Sequence, residues 1–250
     1  SSDVWPSTCS LIICTFLSGM LSPSSLFKIR SKYSNPPVMF YGTDMNFFTG
    51  GCHYSRDCKQ YFAHCSGCPA ITPLAKTLVR KHFFQKHYLV RNISNHIVIA
   101  SSDEYYRQLG ASRIFRESDI RKVLMFVDDA TYGYNESARS DLKVEYDFGG
   151  RTLLVRSSAE PRKGSDIFVD CIRYLHSTEP EFIRSIDIVA IGDDYIGNQL
   201  SSLGLRVFSP GYISDEKELS KLYSVSDVFI NTSLADGGPV MLAQSLMSFT

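Results

Sequence analysis

Short apolar runs alternate with amphipathic stretches along nearly the whole chain, the pattern of a parallel sheet covered by helices. It predicts strands over Leu11–Phe16, Val38–Tyr41, Ile97–Ala100, Lys122–Val127, Thr152–Arg156, Ile186–Ile191, Leu205–Phe208 and Asp227–Asn231. Several are unbroken Val, Ile, Leu and Phe runs, as expected of strands buried on both faces. After Gly164, apolar residues recur at helical spacing through Ile167, Phe168, Cys171, Ile172 and Leu175, with Ser165 as the expected N-cap. Ser214 and Asp215 are placed to cap a helix burying Leu219, Leu222 and Tyr223. Pro239 suits the first turn of a last helix, whose core positions would be Val240, Leu242, Leu246 and Met247.

The apolar pattern breaks between Asp128 and Gly150, and a fresh strand–loop–helix–strand series follows. Two α/β domains are therefore expected, over residues 1–140 and 150–250. The 26 Lys and Arg balance 26 Asp and Glu. That neutrality argues against a nucleic-acid binder and removes the electrostatic argument for a membrane-surface protein. The longest apolar stretch, Leu11–Leu17, is too short to span a bilayer and lacks a charged leader. Seven cysteines, four of them in one segment, fit a reducing compartment, so the cytoplasm is the expected location.

Two loops carry candidate chemistry. The Thr152–Arg156 strand ends in a cation, and the loop Ser157–Gly164 brings Lys163 to the start of the next helix. Ligands of open α/β sheets bind at such strand ends, where two fixed cations suit a diphosphate; a solvated loop is the alternative. The second is Ser233-Leu234-Ala235-Asp236-Gly237-Gly238-Pro239, followed by a helix containing Gln244. Its glycines let backbone approach a ligand, while the bland alternative makes Asp236 a cap and Gln244 an ordinary helical residue.

As an ordered series, Arg156…Lys163-Gly164, Ile188–Gly192, Gly211-Tyr212-Ile213, Glu218–Ile230 and Ser233–Gly238 resemble the nucleotide-sugar domain of family 4 retaining glycosyltransferases. The resemblance covers residues 151–250 and implies the GT-B fold, two Rossmann-like domains facing across a cleft. It puts the donor diphosphate on Arg156 and Lys163. A Glu-x7-Glu motif that contacts donor sugar and ribose falls on Asp236 and Gln244, with Gly237 and Gly238 beside the sugar. Both positions depart from Glu, and Gln244 brings hydrogen bonds without charge.

Residues 41–69 resemble a segment of bacterial family 4 enzymes, through Asp44-Met45, Phe48-Thr49-Gly50-Gly51-Cys52-His53-Tyr54 and Cys65-x2-Cys68-Pro69. Thr43 stands where that pattern has His. Asp44 is a catalytic candidate at a strand end, or a turn cap, and His53 is expected on the acceptor side. Cys52, Cys58, Cys65 and Cys68 are spaced so that four thiolates could close a structural zinc site.

The implied activity is metal-independent transfer of a sugar from a nucleotide-diphosphate donor to a saccharide or glycolipid hydroxyl, with retention, in polysaccharide or glycoconjugate synthesis. Nucleic acid is not an expected partner, and membrane association would be peripheral, at the inner face. A non-catalytic nucleotide-sugar or glycan-binding protein of the same fold is the rival. The chain is expected to be a fragment, with both domains truncated.

Overall fold

A computed structural model describes residues 6–15, 19, 21–238 and 240–250. Phe16 of the first predicted strand, Leu17 at the end of the longest apolar stretch, and Pro239 expected in the first turn of the last helix lie outside the described residues. The contacts divide the chain into two units: Ser1–Met125 with Asp236–Gly238, and Phe126–Ala235 with Pro239–Thr250. The division falls ahead of the Asp128–Gly150 stretch.

In the first unit, β1 (Ile12–Cys14), β2 (Val38–Gly42), β3 (His96–Ala100) and β4 (Ile120–Lys122) form a parallel sheet in the order β1-β2-β3-β4. The intervening helices are α1 (Pro23–Lys32), α2 (Lys76–Arg91) and α3 (Asp103–Ala111). Their starts follow from local chemistry. The Ser22 hydroxyl accepts from the Ser25 amide at 3.1 Å with Pro23 in the first turn, and the Ser102 hydroxyl accepts from the Tyr105 amide at 3.2 Å. Leu26, Val38, Phe40, Phe48, Phe83, Leu89, Leu109 and Phe115 fill the core. The strand expected over Lys122–Val127 ends at Lys122 instead, and Val123, Leu124 and Phe126 are exposed. An apolar run needs a neighbouring strand to make it a strand, and β3 pairs only as far as Lys122.

The second unit begins with α4 (Glu136–Glu145). It continues through β5 (Arg151–Ser157), α5 (Ser165–Thr178), α6 (Pro180–Arg184), β6 (Ile186–Gly192), α7 (Tyr195–Leu200), β7 (Val207–Gly211), α8 (Glu216–Val225), β8 (Val228–Ile230) and α9 (Val240–Met247). Its sheet is parallel with order β7-β6-β5-β8, so β5 and β6 are central; β6 is almost wholly buried, and β5 is buried at Thr152, Leu154, Val155 and Ser157. Asp215 caps α8 as expected, its carboxylate accepting from the Lys217 amide at 2.8 Å. The C-terminus of α8 is closed by Arg139 of α4, which donates to the carbonyls of Ser224, Val225 and Ser226 at 3.1–3.3 Å and to Asp227.

Two expectations are corrected here. Gly164, in the left-handed region, occupies the N-cap of α5, and Ser165 is its first residue. In α9 the buried residues are Gln244 and Ser245, whereas Leu246 is 68% exposed. Gln244 takes the inner side because the Tyr223 hydroxyl meets it there, and Ser245 is satisfied by donating to the Leu242 carbonyl.

Candidate functional site

In the second unit the carboxyl ends of β5 and β6 meet at a shared turn. Gly192 closes β6 with φ +133°, and a Cβ there would lie 2.2 Å from the Ser157 carbonyl oxygen. Asp193 then reaches across. Its carboxylate accepts from the Ala159 amide at 2.7 Å, the Ser157 hydroxyl at 3.2 Å and the Tyr195 amide at 3.1 Å. Burial pushes this carboxyl up, but those donors and the Arg156 charge outweigh it and hold it below the usual range.

Arg156 is exposed at the end of β5, and Lys163 is buried further along the same loop. The Ser165 hydroxyl accepts from the Ser158 amide at 2.9 Å and donates to the Arg156 carbonyl at 3.3 Å, tying the loop to α5. Its far side is laced to the segment after β8. Arg162 donates to the Ala235 carbonyl at 2.9 Å, its own carbonyl accepts from the Leu234 amide at 2.9 Å, and Thr232 donates to the Lys163 carbonyl at 3.1 Å. Gly164 permits this approach: at φ +67°, a Cβ would lie 2.0 Å from the Thr232 carbonyl oxygen. Arg162 pulls the Glu160 carboxyl down, and Lys163 and Arg156 add to that pull, so both cations act on the same loop.

Gln244 lies in the same unit, 8% exposed. Tyr223, fully buried on α8, donates its hydroxyl to the Gln244 side-chain oxygen at 3.0 Å. Burial raises the Tyr223 phenol far above its ordinary value, so it stays a donor across the accessible pH range.

In the first unit, Asp44 follows β2 and starts the 3₁₀ turn Met45–Phe48. One carboxylate oxygen caps that turn through the Asn46 amide at 2.8 Å, and the other lies 2.5 Å from Nδ1 of His53. Asp44 is 7% exposed, while the His53 side chain keeps 40% exposure. Capping and pairing therefore coexist on one carboxylate. The turn is held from beneath by Lys86 of α2, whose ammonium donates to the Asn46 carbonyl at 2.5 Å, the Asn46 side-chain oxygen at 3.2 Å and the Thr49 carbonyl at 3.1 Å. Burial lowers the Lys86 pKa from 10.5 to about 8. The Tyr105 hydroxyl donates to the Asp44 carbonyl. Asp236, Gly237 and Gly238 group with this unit, where Ser101 donates to the Gly237 carbonyl.

No protein-family profile matches the chain. No curated protein sequence matches it. Solved structures do. Sucrose-phosphate synthase from Thermosynechococcus elongatus superposes with a TM-score of 0.66 at 15% identity, covering 96% of this chain and 54% of that one. HepE from Anabaena in complex with UDP gives 0.63 at 17% identity, covering 96% and 57%. The UDP-forming α,α-trehalose-phosphate synthase from Burkholderia vietnamiensis gives 0.62 at 12%, covering 95% and 53%. The fold is GT-B. The chain spans about half the length of these structures.

Within this GT-B fold the expected site residues fall into two groups. Arg156, Lys163 and Gln244 belong to the second unit, and Asp44, His53, Asp236, Gly237 and Gly238 to the first. The zinc expectation is corrected. Cys52, Cys58, Cys65 and Cys68 influence one another electrostatically, but among the described residues no three His, Cys, Asp or Glu side chains are gathered to hold a metal ion. The reason is orientation. Cys65, at φ +49°, turns into the core, where burial pushes its thiol up to about 11, while Cys52 is exposed.

Tyr223, Asp193, Arg162 and Lys86 were not among the expected site residues. Asp193 directly follows Gly192 at a predicted strand end, which is a legible signal. Tyr223 reads as a core position of its helix, Lys86 falls in a stretch with no predicted element, and nothing local marks their distant partners.

Proposed function

We propose that the chain is part of a family 4 retaining glycosyltransferase that moves a sugar from a nucleotide-diphosphate donor to a saccharide or glycolipid hydroxyl in polysaccharide or glycoconjugate synthesis. The observation that carries this reading is the braced loop at the carboxyl end of β5, with Arg156 and Lys163 on it, in a GT-B fold. Charge grows on the departing diphosphate in such a transfer, and fixed cations that need no reorganisation stabilise it. They supply the positive charge that a divalent cation would otherwise bring, so turnover is expected to survive chelation. Gln244 serves the ribose hydroxyls, Asp236 with Gly237 and Gly238 serves the sugar, and Asp44 with His53 serves the acceptor. The cysteine usage puts the reaction in the cytoplasm.

HepE was solved with UDP and with UDP-glucose, so uridine donors are the first to test. Titration with UDP followed by calorimetry is expected to show binding, and Arg156→Ala and Lys163→Ala each to weaken it about 10- to 100-fold, the worth of one charge-assisted hydrogen bond. Unchanged affinity in both variants would remove the diphosphate assignment. The rival, a binding protein without turnover, draws on Gln244 and Thr43. Tight donor binding with no labelled product from any saccharide acceptor would decide for it.

A further inference from the structure

β5 and β6 stay in parallel register to their last residues, so Ser157 stands opposite Gly192 where both strands end. The loop Ser157–Gly164 leaves one strand there, and the turn into α7 leaves the other. Asp193 is the first residue beyond the paired ends, and its carboxylate is divided between the two. Oδ1 serves the turn, accepting from the Tyr195 amide at 3.1 Å and from the Ser157 hydroxyl at 3.2 Å. Oδ2 serves the loop, accepting from the Ala159 amide at 2.7 Å. A residue that only started α7 would need the first oxygen; the second ties the loop to the end of β6. The Ser157 hydroxyl, itself buried, completes the tie by accepting from the Ile196 amide at 3.0 Å.

The loop spends its backbone donors inside the protein. The Ser158 amide goes to the Ser165 hydroxyl at 2.9 Å, and the Glu160 amide to the Ser158 hydroxyl at 3.2 Å. The Lys163 amide goes to the Glu160 carbonyl at 2.9 Å and the Gly164 amide to the Pro161 carbonyl at 3.1 Å. Loops that cradle phosphate with their backbone do so by turning successive N–H groups towards the anion. Here the amides of Ser158, Ala159, Glu160, Lys163 and Gly164 all have protein partners, and Pro161 has no amide hydrogen to offer. An anion at this strand end would therefore be met by side chains, Arg156 and Lys163, and long side chains hold a ligand well only when the backbone beneath them is fixed.

We propose that Asp193 is the positioning residue of the diphosphate site: by holding the Ala159 amide it locks the Ser157–Gly164 loop in a form that presents Arg156 and Lys163 together to a nucleoside diphosphate. The inference rests on the diphosphate reading of those two cations. Asp193 does not carry the ligand itself. Its charge is met by the Ala159 and Tyr195 amides, the Ser157 hydroxyl and the field of Arg156, which makes a carboxylate tolerable beside an anion. Without it the Ala159 amide loses its acceptor and the loop its anchor on β6. The loss then falls on the diphosphate and spares the nucleoside, whose contacts do not depend on where the two cations point.

The test compares the whole chain with Asp193→Ala and Asp193→Asn in two measurements. In ligand-detected NMR titrations, UDP affinity is expected to fall about 10-fold in Asp193→Ala and less in Asp193→Asn, which keeps one accepting oxygen, while uridine affinity stays within about twofold of the wild type in both. In amide hydrogen exchange, the Ala159 amide should exchange faster in Asp193→Ala while Val189, buried in β6, keeps its protection and certifies the fold. Unchanged UDP affinity, or an unchanged Ala159 amide, would overturn the proposal. So would an equal loss for UDP and uridine, which would make Asp193 a general support of the unit. A wild-type chain that binds no UDP has a separate meaning: it removes the diphosphate reading itself, and this inference with it.

Discussion

Gln244 shows how a single side chain acquires its chemistry from a partner far away in sequence. With its oxygen engaged by Tyr223, the ribose contact proposed above would fall to the amide nitrogen, so a ribose hydroxyl would accept where a glutamate would have it donate. Tyr223→Phe removes the hydroxyl that donates to that buried oxygen. Denaturant unfolding should show a loss of about 1–3 kcal/mol, and UDP affinity should fall in the same variant; unchanged values in both would separate Tyr223 from the site. Lys86 is the second case. Burial lowers its pKa from 10.5 to about 8, so between those values the unfolded chain holds more protons than the folded one. Its contribution to stability therefore rises as pH climbs from 8 towards 10.5. Against the wild type, Lys86→Met should lack that rise, which paired denaturation curves at pH 7.5 and pH 10 would reveal.

Elements in this chain are held by short-range chemistry at their ends and by register within the sheets. Most strands expected from unbroken apolar runs are present within a residue or two, as the two-sided burial of β6 requires. The exceptions are informative. Val123–Val127 is apolar without being a strand, and α9 turns Gln244 rather than Leu246 inward; both depend on what lies alongside, which periodicity does not encode. The loop between β5 and α5 depends on Gly164 for two separate reasons, a positive φ and a carbonyl 2.0 Å from any added Cβ. Gly164→Ala is expected to cost at least about 1–3 kcal/mol and to weaken UDP binding, since the loop would have to withdraw from Thr232. Full retention of both stability and affinity would show that the loop is not held as described.

For the whole molecule, ligand linkage provides the broadest check. UDP at about 100 times its dissociation constant should stabilise the chain by about 2.7 kcal/mol, a rise in Tm of about 5–10 °C for a chain of this size. GDP at the same concentration gives the comparison that identifies the base. The ordered series of residues 151–250, the strand-end position of Arg156, and the Asp44 and His53 segment were all legible in the sequence, because they rest on local patterns of residue type. The amino-acid order by itself determined the alternation of strands and helices, and with it an α/β protein of parallel sheets, since burial on two faces leaves a visible trace in each segment. Only tertiary structure decided that Tyr223 meets Gln244, that Lys86 supports the Asp44 turn and that Cys65 faces inward. Those are pairings across long stretches of chain, and their energy resides in burial and hydrogen-bond geometry that no local pattern carries.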